Sequence, residues 1–373
     1  MQFIRPALLA TTILTASMTT AFADVKVVTS IKPVHSLVAA VMQGVGTPDL
    51  IVEGAGSPHT YALKPSQAKQ LQEADIVFWM SQDLEAFLEK SIDGIATKAL
   101  SVPLMESRGL MTLGFRDGGA FDDHGHDEHD DHDEHDKHDD HDKDDDHDHE
   151  KHDDHDHEKH DDHDHEKHDE HDDHDKDDDH DHEKHDDHDD HEKHDEHDHG
   201  EVDPHVWLDP ENAKAMVHEI EEALAKADPA NAATYESNAE AVMAKLDSLV
   251  AEIDSELQPV KGRGYIVFHD AYQYFENRFG VSAIGSITVS PEVLPGAERI
   301  SDLQEKVRSL DATCVFSEPQ FEPKLVATVT ENTNARTGVL DPLGAAIDKG
   351  PNLYFTLIRN MALSLKNCLL GSG

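Results

Sequence analysis

The sequence predicts an α/β protein of two pseudo-similar lobes with mainly parallel sheets, a long helix placed to link them, and a disordered His/Asp-rich loop inserted in the first lobe. Three observations carry this expectation. Strand-like apolar runs alternate with helical patterns twice, once on each side of residue 230 or so. A single apolar stripe runs unbroken from Tyr235 to Leu257. Between residues 117 and 202 all apolar periodicity stops.

The first lobe opens on "VKVVTSI" (Val25–Ile31), rich in β-branched residues and read as a strand. A Pro-containing turn and helical "HSLVAAVMQGV" follow. "DLIVEGAGSPHTYALKPS" reads as a short strand and then a Gly/Pro loop carrying His59. Pro65 and Ser66 stand at the start of a helix, "PSQAKQLQEA". "DIVFWM" is a buried-strand pattern, and "DLEAFLEKSI" is helical. After the interruption, "EVDPHVWLDPENAKAMVHEIEEALAKADP" gives a loop with His205 and a helix from about Pro210.

The long stripe comprises Tyr235, Ala239, Val242, Leu246, Leu249, Ile253 and Leu257, at spacings of three or four. Pro259 and Gly262 end it. The second alternation begins with strand "GYIVFHDAY", which delivers His269 to a loop. Helical "YQYFENRF", strand "VSAIGSI", helix "GAERISDLQEKVRSL", strand "TCVFSE" and helix "EPKLVATVTENT" follow. "RTGVLDPLG" is a strand ending at Asp341, and "NLYFTLIRNMALSLKNCL" is a closing helix. The expected domains are 1–23 (signal peptide), 24–228 (first lobe, with 117–202 as the loop), 229–257 (linker helix) and 258–373 (second lobe).

The formal net charge is −49, and Asp122–His199 alone holds 43 acidic residues against 8 lysines. The remainder is an ordinary acidic protein. Nucleic acid is excluded as a partner, because phosphate binding needs clustered Lys and Arg. Arg5, apolar "PALLATTILTASM" and "AFA" at Ala21–Ala23 have the order of a signal peptide, so an exported chain starting at Asp24 is expected. The apolar run is too short for a membrane span. Cys314 and Cys368 are the two cysteines. In an exported protein such a pair favours one disulfide over two buried thiols.

Five histidines lie outside the tract: His35, His59, His205, His218 and His269. His59, His205 and His269 each follow a strand or turn beside Pro, Gly or Asp. Ligands of α/β sheets bind beyond the carboxyl ends of strands, and Asp341 occupies the same kind of position. Three imidazoles and a carboxylate suit a four-coordinate borderline metal, above all zinc. Spacing alone is weak support, because lone loop histidines are more often solvated or hydrogen-bonded. His35 is expected at a helix end or surface, His218 as a solvated side chain, and Trp207 as packing behind the His205 loop.

The stretches "SIKPVHSLVAAVMQGV", "SPHTYALKPSQAKQLQEADIVFW", "DPHVWLDPENAKAM", "FHDAYQYFE", "SPEVLPGAERI", "TCVFSEPQF" and "GVLDPLG" are more specific. They resemble, in order and across both lobes, the zinc-receptor (ZnuA-like) branch of the cluster A-I, or cluster 9, metal receptors of ABC transporters. The resemblance implies two α/β lobes joined by one long rigid helix, with the metal in the cleft between them. It implies His59, His205 and His269 as ligands, and Asp341 as a ligand or a residue beside the metal. It matches Cys314 and Cys368 to a disulfide. Manganese-type relatives carry a carboxylate where His269 stands, so three nitrogen donors favour zinc. Some zinc receptors have a glutamate just before the first histidine, where this chain has Pro58. The fourth ligand is therefore open: Asp341, a water or another residue. Implied partners are an ABC permease and its ATPase, with other zinc chaperones beyond them. The implied product is a periplasmic monomer that spans no membrane, with Zn(II) as transported ligand.

The tract holds 26 of the 31 histidines and no aliphatic or aromatic residue, so it cannot form a packed core. Its repeating unit is His-x-His-x-x-His. This occurs at His124, His126 and His129; His147, His149 and His152; His155, His157 and His160; His163, His165 and His168; and His180, His182 and His185. Such spacing lets a flexible chain wrap imidazoles around an ion, with carboxylates completing the shell. Ordering a floppy loop costs entropy, so these auxiliary metal sites should be weaker than a preformed one. The function expected is a zinc-binding extracytoplasmic receptor, with the tract as auxiliary collector or sensor. The alternatives are a zinc enzyme, since three histidines and an open position also describe catalytic zinc, a zinc store built on the tract, and a manganese receptor.

Overall fold

The computed structural model describes residues 25–116, 202–288, 295–309 and 314–371. The expected signal peptide lies outside them. So does the expected loop, apart from Val202, and with it every auxiliary loop histidine named above.

The first lobe contains β1 (Val27–Thr29), α1 (Lys32–Val41), β2 (Asp49–Leu50), α2 (Pro65–Glu73), β3 (Ile76–Trp79), α3 (Ala86–Ile95) and β4 (Leu100–Pro103). Its four strands are all parallel, in the order β2-β1-β3-β4. Helix α1 starts earlier than the sequence suggested. Pro33 sits in its first turn rather than in a preceding turn, where its fixed φ and missing N–H cost nothing. Strand β4 escaped the sequence reading. It is an edge strand ending in proline with only Val102 buried, so it carries no continuous apolar run.

Two helices follow the interruption, α4 (Pro210–Ala227) and α5 (Ala232–Leu257). Asp209 caps α4, its side chain accepting the N–H of Glu211 at 2.9 Å. Helix α5 has 26 residues, about 39 Å at 1.5 Å per residue. Its buried residues are the seven of the predicted stripe. That face packs on α4, α1 and the C-terminal helix α9 (Leu353–Leu370).

The second lobe contains β5 (Tyr265–His269), α6 (Gln273–Phe279), β6 (Ala283–Thr288), α7 (Ala297–Ser309), β7 (Cys314–Ser317), α8 (Lys324–Thr330) and β8 (Arg336–Val339), closed by α9. The strands are again parallel, in the order β6-β5-β7-β8. The two sheets thus share one winding scheme, with the strand order reversing beside β1 in one and β5 in the other. That reversal opens a crevice at the strands' carboxyl ends. One continuous hydrophobic core takes in residues of both sheets and of α1, α4, α5 and α9. A smaller one lies between the second sheet and α7 and α8. A disulfide joins Cys314 of β7 to Cys368 of α9. Among the described residues no helix is long and apolar enough to cross a membrane.

The tract leaves and returns at one place. Gly114 and Val202 form an antiparallel bridge, and the Asp203 N–H donates to the Leu113 carbonyl at 2.9 Å. Tyr274 of α6 fastens both sides of this stem, its hydroxyl donating to Asp203 O at 2.7 Å and accepting from the Leu113 N–H at 2.9 Å.

Candidate metal centre

His59, His205 and His269 reach the same crevice from three different backbone settings. His59 lies in a single 3₁₀ turn, Pro58–Thr60, entered through Pro58, whose ring fixes φ for that turn. His205 directly precedes another, Val206–Leu208. His269 is the last residue of β5. Their ring centroids lie 5.5, 5.9 and 5.3 Å apart, and one nitrogen from each falls within 4.8 Å of the others. Nitrogens around a tetrahedral zinc sit about 3.4 Å apart. Side-chain rotation is enough to bring these three onto one ion. They are the one group of three or more potential metal-binding side chains that converge in this way among the described residues.

Buried carboxylates orient two of the rings. His205 Nδ1 lies 2.6 Å from Asp203 Oδ1, which also accepts the His205 backbone N–H. His269 Nδ1 lies 2.7 Å from Glu318 Oε1. A carboxylate only accepts, so each Nδ1 carries a hydrogen, which leaves Nε2 as the nitrogen able to bind a cation. Nε2 of His269 is buried and has no hydrogen-bond partner, as expected of a nitrogen kept for binding a cation.

The electrostatics of the rings differ. Burial, then the neighbouring His205 and His269, hold His59 well below the ordinary imidazole value. At His269 burial also opposes the charged form, but Glu318, with Asp270 and Asp203, outweighs it and holds the imidazole above its usual value. Trp207 closes one wall, 5.2 Å from the His205 ring, with its Nε1 donating to the Pro342 carbonyl at 2.9 Å.

Asp341 sits next to this cavity but is not part of the converging group. Its Oδ1 accepts the N–H groups of Leu343 (3.1 Å) and Gly344 (2.9 Å) and the Gln320 amide (3.0 Å). Its Oδ2 accepts the Ala345 N–H at 2.6 Å. Lys32, from α1, donates to the carbonyls of Gly344, Ala345 and Ile347 at 2.6, 3.0 and 2.6 Å. Asp341 and Lys32 therefore hold opposite ends of the Gly344–Ala345 peptide, and both grip the same turn by its main chain. The turn they fix presents Pro342 and Leu343 to the cavity.

His218 is an exposed side chain of α4 near Glu221 and Glu222. His35 is neither at the surface nor at an exposed helix end. It is fully buried in the first turns of α1, with Nε2 3.2 Å from Pro48 O, because the whole of α1 is enclosed. Sequence reasoning missed Asp203, Glu318, Gln320 and Lys32. Asp203 stands in the same "DPH" as His205. Glu318 follows β7 directly, where the strand-end argument used for Asp341 applies equally.

The family model described as "Zinc-uptake complex component A periplasmic" matches residues 27–368. The high-affinity zinc uptake system protein ZnuA of Brucella abortus (strain 2308) is 52% identical over 343 residues, 92% of this chain and 91% of its own. The protein of that name from Yersinia pestis is 31% identical, covering 99% of this chain and 98% of its own. A ZnuA crystal structure aligns with a TM-score of 0.64 at 20% identity, over 93% of this chain and 99% of the other. At that identity the likeness is one of fold.

Proposed function

This chain belongs to the ZnuA family of periplasmic zinc-uptake components, and from that premise we propose that it is a high-affinity zinc receptor working outside the cytoplasm. It captures Zn(II) between His59, His205 and His269 and delivers it to the permease and ATPase of an ABC importer. Zinc is the cargo, and no group in this reading performs catalysis. One observation carries it: three imidazole donors from separate loops converge, two of them oriented by buried carboxylates. An all-nitrogen set favours zinc over manganese, which prefers oxygen.

Residues 1–23 serve as the export signal in this proposal. The histidine-rich tract gathers zinc and passes it inward. The stem supports this, since the chain re-enters at Val202 and reaches the carboxylate behind His205 one residue later.

Calorimetric titration of the chain from residue 24 tests the receptor reading. One tight zinc is expected ahead of weaker binding by the tract, and His59→Ala should abolish the tight class alone. Equal tight binding with and without His59 would overturn it.

A further inference from the structure

Gln320 lies on the cavity wall together with the three histidines, and nothing above gives it a task. Its amide is fixed at one end. Nε2 donates to Asp341 Oδ1 at 3.0 Å, and a carboxylate that only accepts permits no flip. The carbonyl end is therefore forced the other way. Oε1 is buried and has no hydrogen-bond partner. An unsatisfied buried carbonyl costs free energy, so it marks a place where a donor is meant to arrive.

Most other oxygens near the site are spent or absent. Glu318 Oε2 is a second buried oxygen on this wall without a partner, but its carboxylate is tied through Oε1 to His269 Nδ1. Asp341 gives both of its oxygens to main-chain N–H groups. Residue 58, beside the first histidine, is a proline and offers no side-chain donor. Ser57 Oγ also lacks a partner on this wall, but a hydroxyl turns freely and constrains its neighbour less. Three histidines leave one position of a four-coordinate zinc open, and in such sites water fills it. The cavity, about 10 Å³, has room for about one water-sized body, the cation itself, and it is partly open to solvent, so water can reach the fourth position. Water on a divalent cation is a strengthened donor. What faces it should be an acceptor, and Gln320 Oε1 is one that cannot turn away.

We propose that Gln320 is a positioning and selectivity residue of this site: its amide oxygen accepts a hydrogen bond from the water on the cation's fourth position. The inference rests on the zinc-receptor reading of the three histidines. It has a chemical consequence. A carbonyl oxygen welcomes a neutral donor and repels an anion, so the fourth position takes water and excludes anionic ligands. The bound cation keeps its full charge, and exogenous anions do not compete with release.

Cobalt(II) as a probe tests this in the full chain from residue 24. One equivalent is added, because four-coordinate cobalt gives strong visible bands and cobalt held by the tract in higher coordination gives weak ones. His59→Ala supplies the tract's contribution for subtraction. Sodium azide is then titrated into the wild type and into Gln320→Met. The expected result is azide binding at least tenfold tighter in Gln320→Met, with zinc retained about tenfold less well, the usual scale for loss of a group behind a metal ligand. Gln320→Asn, which keeps an amide but draws its oxygen back by one methylene, should bind azide with intermediate affinity, and it serves if Gln320→Met does not fold. Equal azide affinity in wild type and variants would overturn the proposal, as would a variant that lowers only the melting temperature. A cobalt spectrum indifferent to His59→Ala would instead overturn the underlying site.

Discussion

Asp203 and His205 are two residues apart and meet twice: Asp203 Oδ1 accepts both the backbone N–H of His205, at 3.0 Å, and takes its ring Nδ1, at 2.6 Å. The second oxygen accepts the Gln273 amide from α6 at 3.0 Å. One buried carboxylate thus orients the His205 ring and ties its loop to the opposite lobe. Asp203→Ala should lower zinc affinity by about 10- to 100-fold, the range for lost partners behind metal-binding histidines. Glu318→Ala should act similarly through His269. Competition with a chromogenic chelator measures both, and an affinity unchanged in either variant would contradict the orienting role.

Lys32→Met removes the donor for three loop carbonyls while keeping much of the side chain's length. Buried carbonyls left without partners cost about 1–3 kcal/mol, so urea unfolding should shift by about 2 kcal/mol. Zinc affinity should also fall severalfold, because the turn carrying Pro342 and Leu343 loosens. A loss of stability with no change in affinity would separate this turn from the site.

Glu85 and His35 give opposing pH dependences. Glu85 is fully buried, its Oε2 accepting the N–H groups of Met80 and Ser81, and burial pushes its carboxyl up to about 7 from 4.5. Between those values the unfolded chain has lost the proton that the folded chain keeps, so stability falls as pH rises. Burial pushes His35 down to about 4 from 6.5. In that window the unfolded chain takes up a proton that the folded chain refuses, so stability falls as pH drops. The two slopes offset each other where they overlap. Glu85→Gln should expose the His35 slope, a loss of about 3 kcal/mol on acidification. His35→Gln should expose the reverse slope. Denaturation across pH 4–7.5 decides, and parallel curves for all three proteins would refute the assignment.

The bridge between Cys314 and Cys368 spans 54 residues, for which loop-closure entropy gives about 4 kcal/mol. Replacing both with serine should lower stability by about 2–4 kcal/mol and leave the zinc stoichiometry of the folded protein unchanged. Calorimetric melting and zinc titration on the same sample check both halves.

Deletion of residues 122–199 should leave the stem intact, because the Gly114–Val202 bridge lies outside the cut. One tight zinc is expected to survive, and the weaker sites to vanish. Loss of the tight zinc in this deletion would make the tract the principal binding element.

Much of the architecture was legible because it is periodic. The Tyr235–Leu257 stripe names the buried face of α5 residue for residue, since a helix touching a core on one side leaves a 3–4 spacing that nothing else imitates. Strand β4 left no such trace, being an edge with its side chains largely in solvent. His59, His205 and His269 were visible as strand-end and turn residues, and the family resemblance joined them. The groups behind them were not. Glu318 lies 49 positions from His269 and Lys32 lies 312 from Gly344, and local patterns carry no information on such pairs. His35 misled because a polar residue near a helix start reads as facing outward, whereas α1 is enclosed on every side and buries Lys32, His35 and Ser36 alike.

Both partners of the 343–347 turn read its main chain and none of its side chains, since Asp341 takes its N–H groups and Lys32 its carbonyls. The turn's shape is thereby set largely from outside it, with Gly344, at φ 71°, the position where its own sequence still matters. Leu343, which lines the cavity and packs in the core, takes its polar contact through its main-chain N–H and not its side chain. The wall of this cavity is in this sense a lining hung on a fixed frame, where a substitution that keeps the core packed retunes fit while His59, His205 and His269 stay in place.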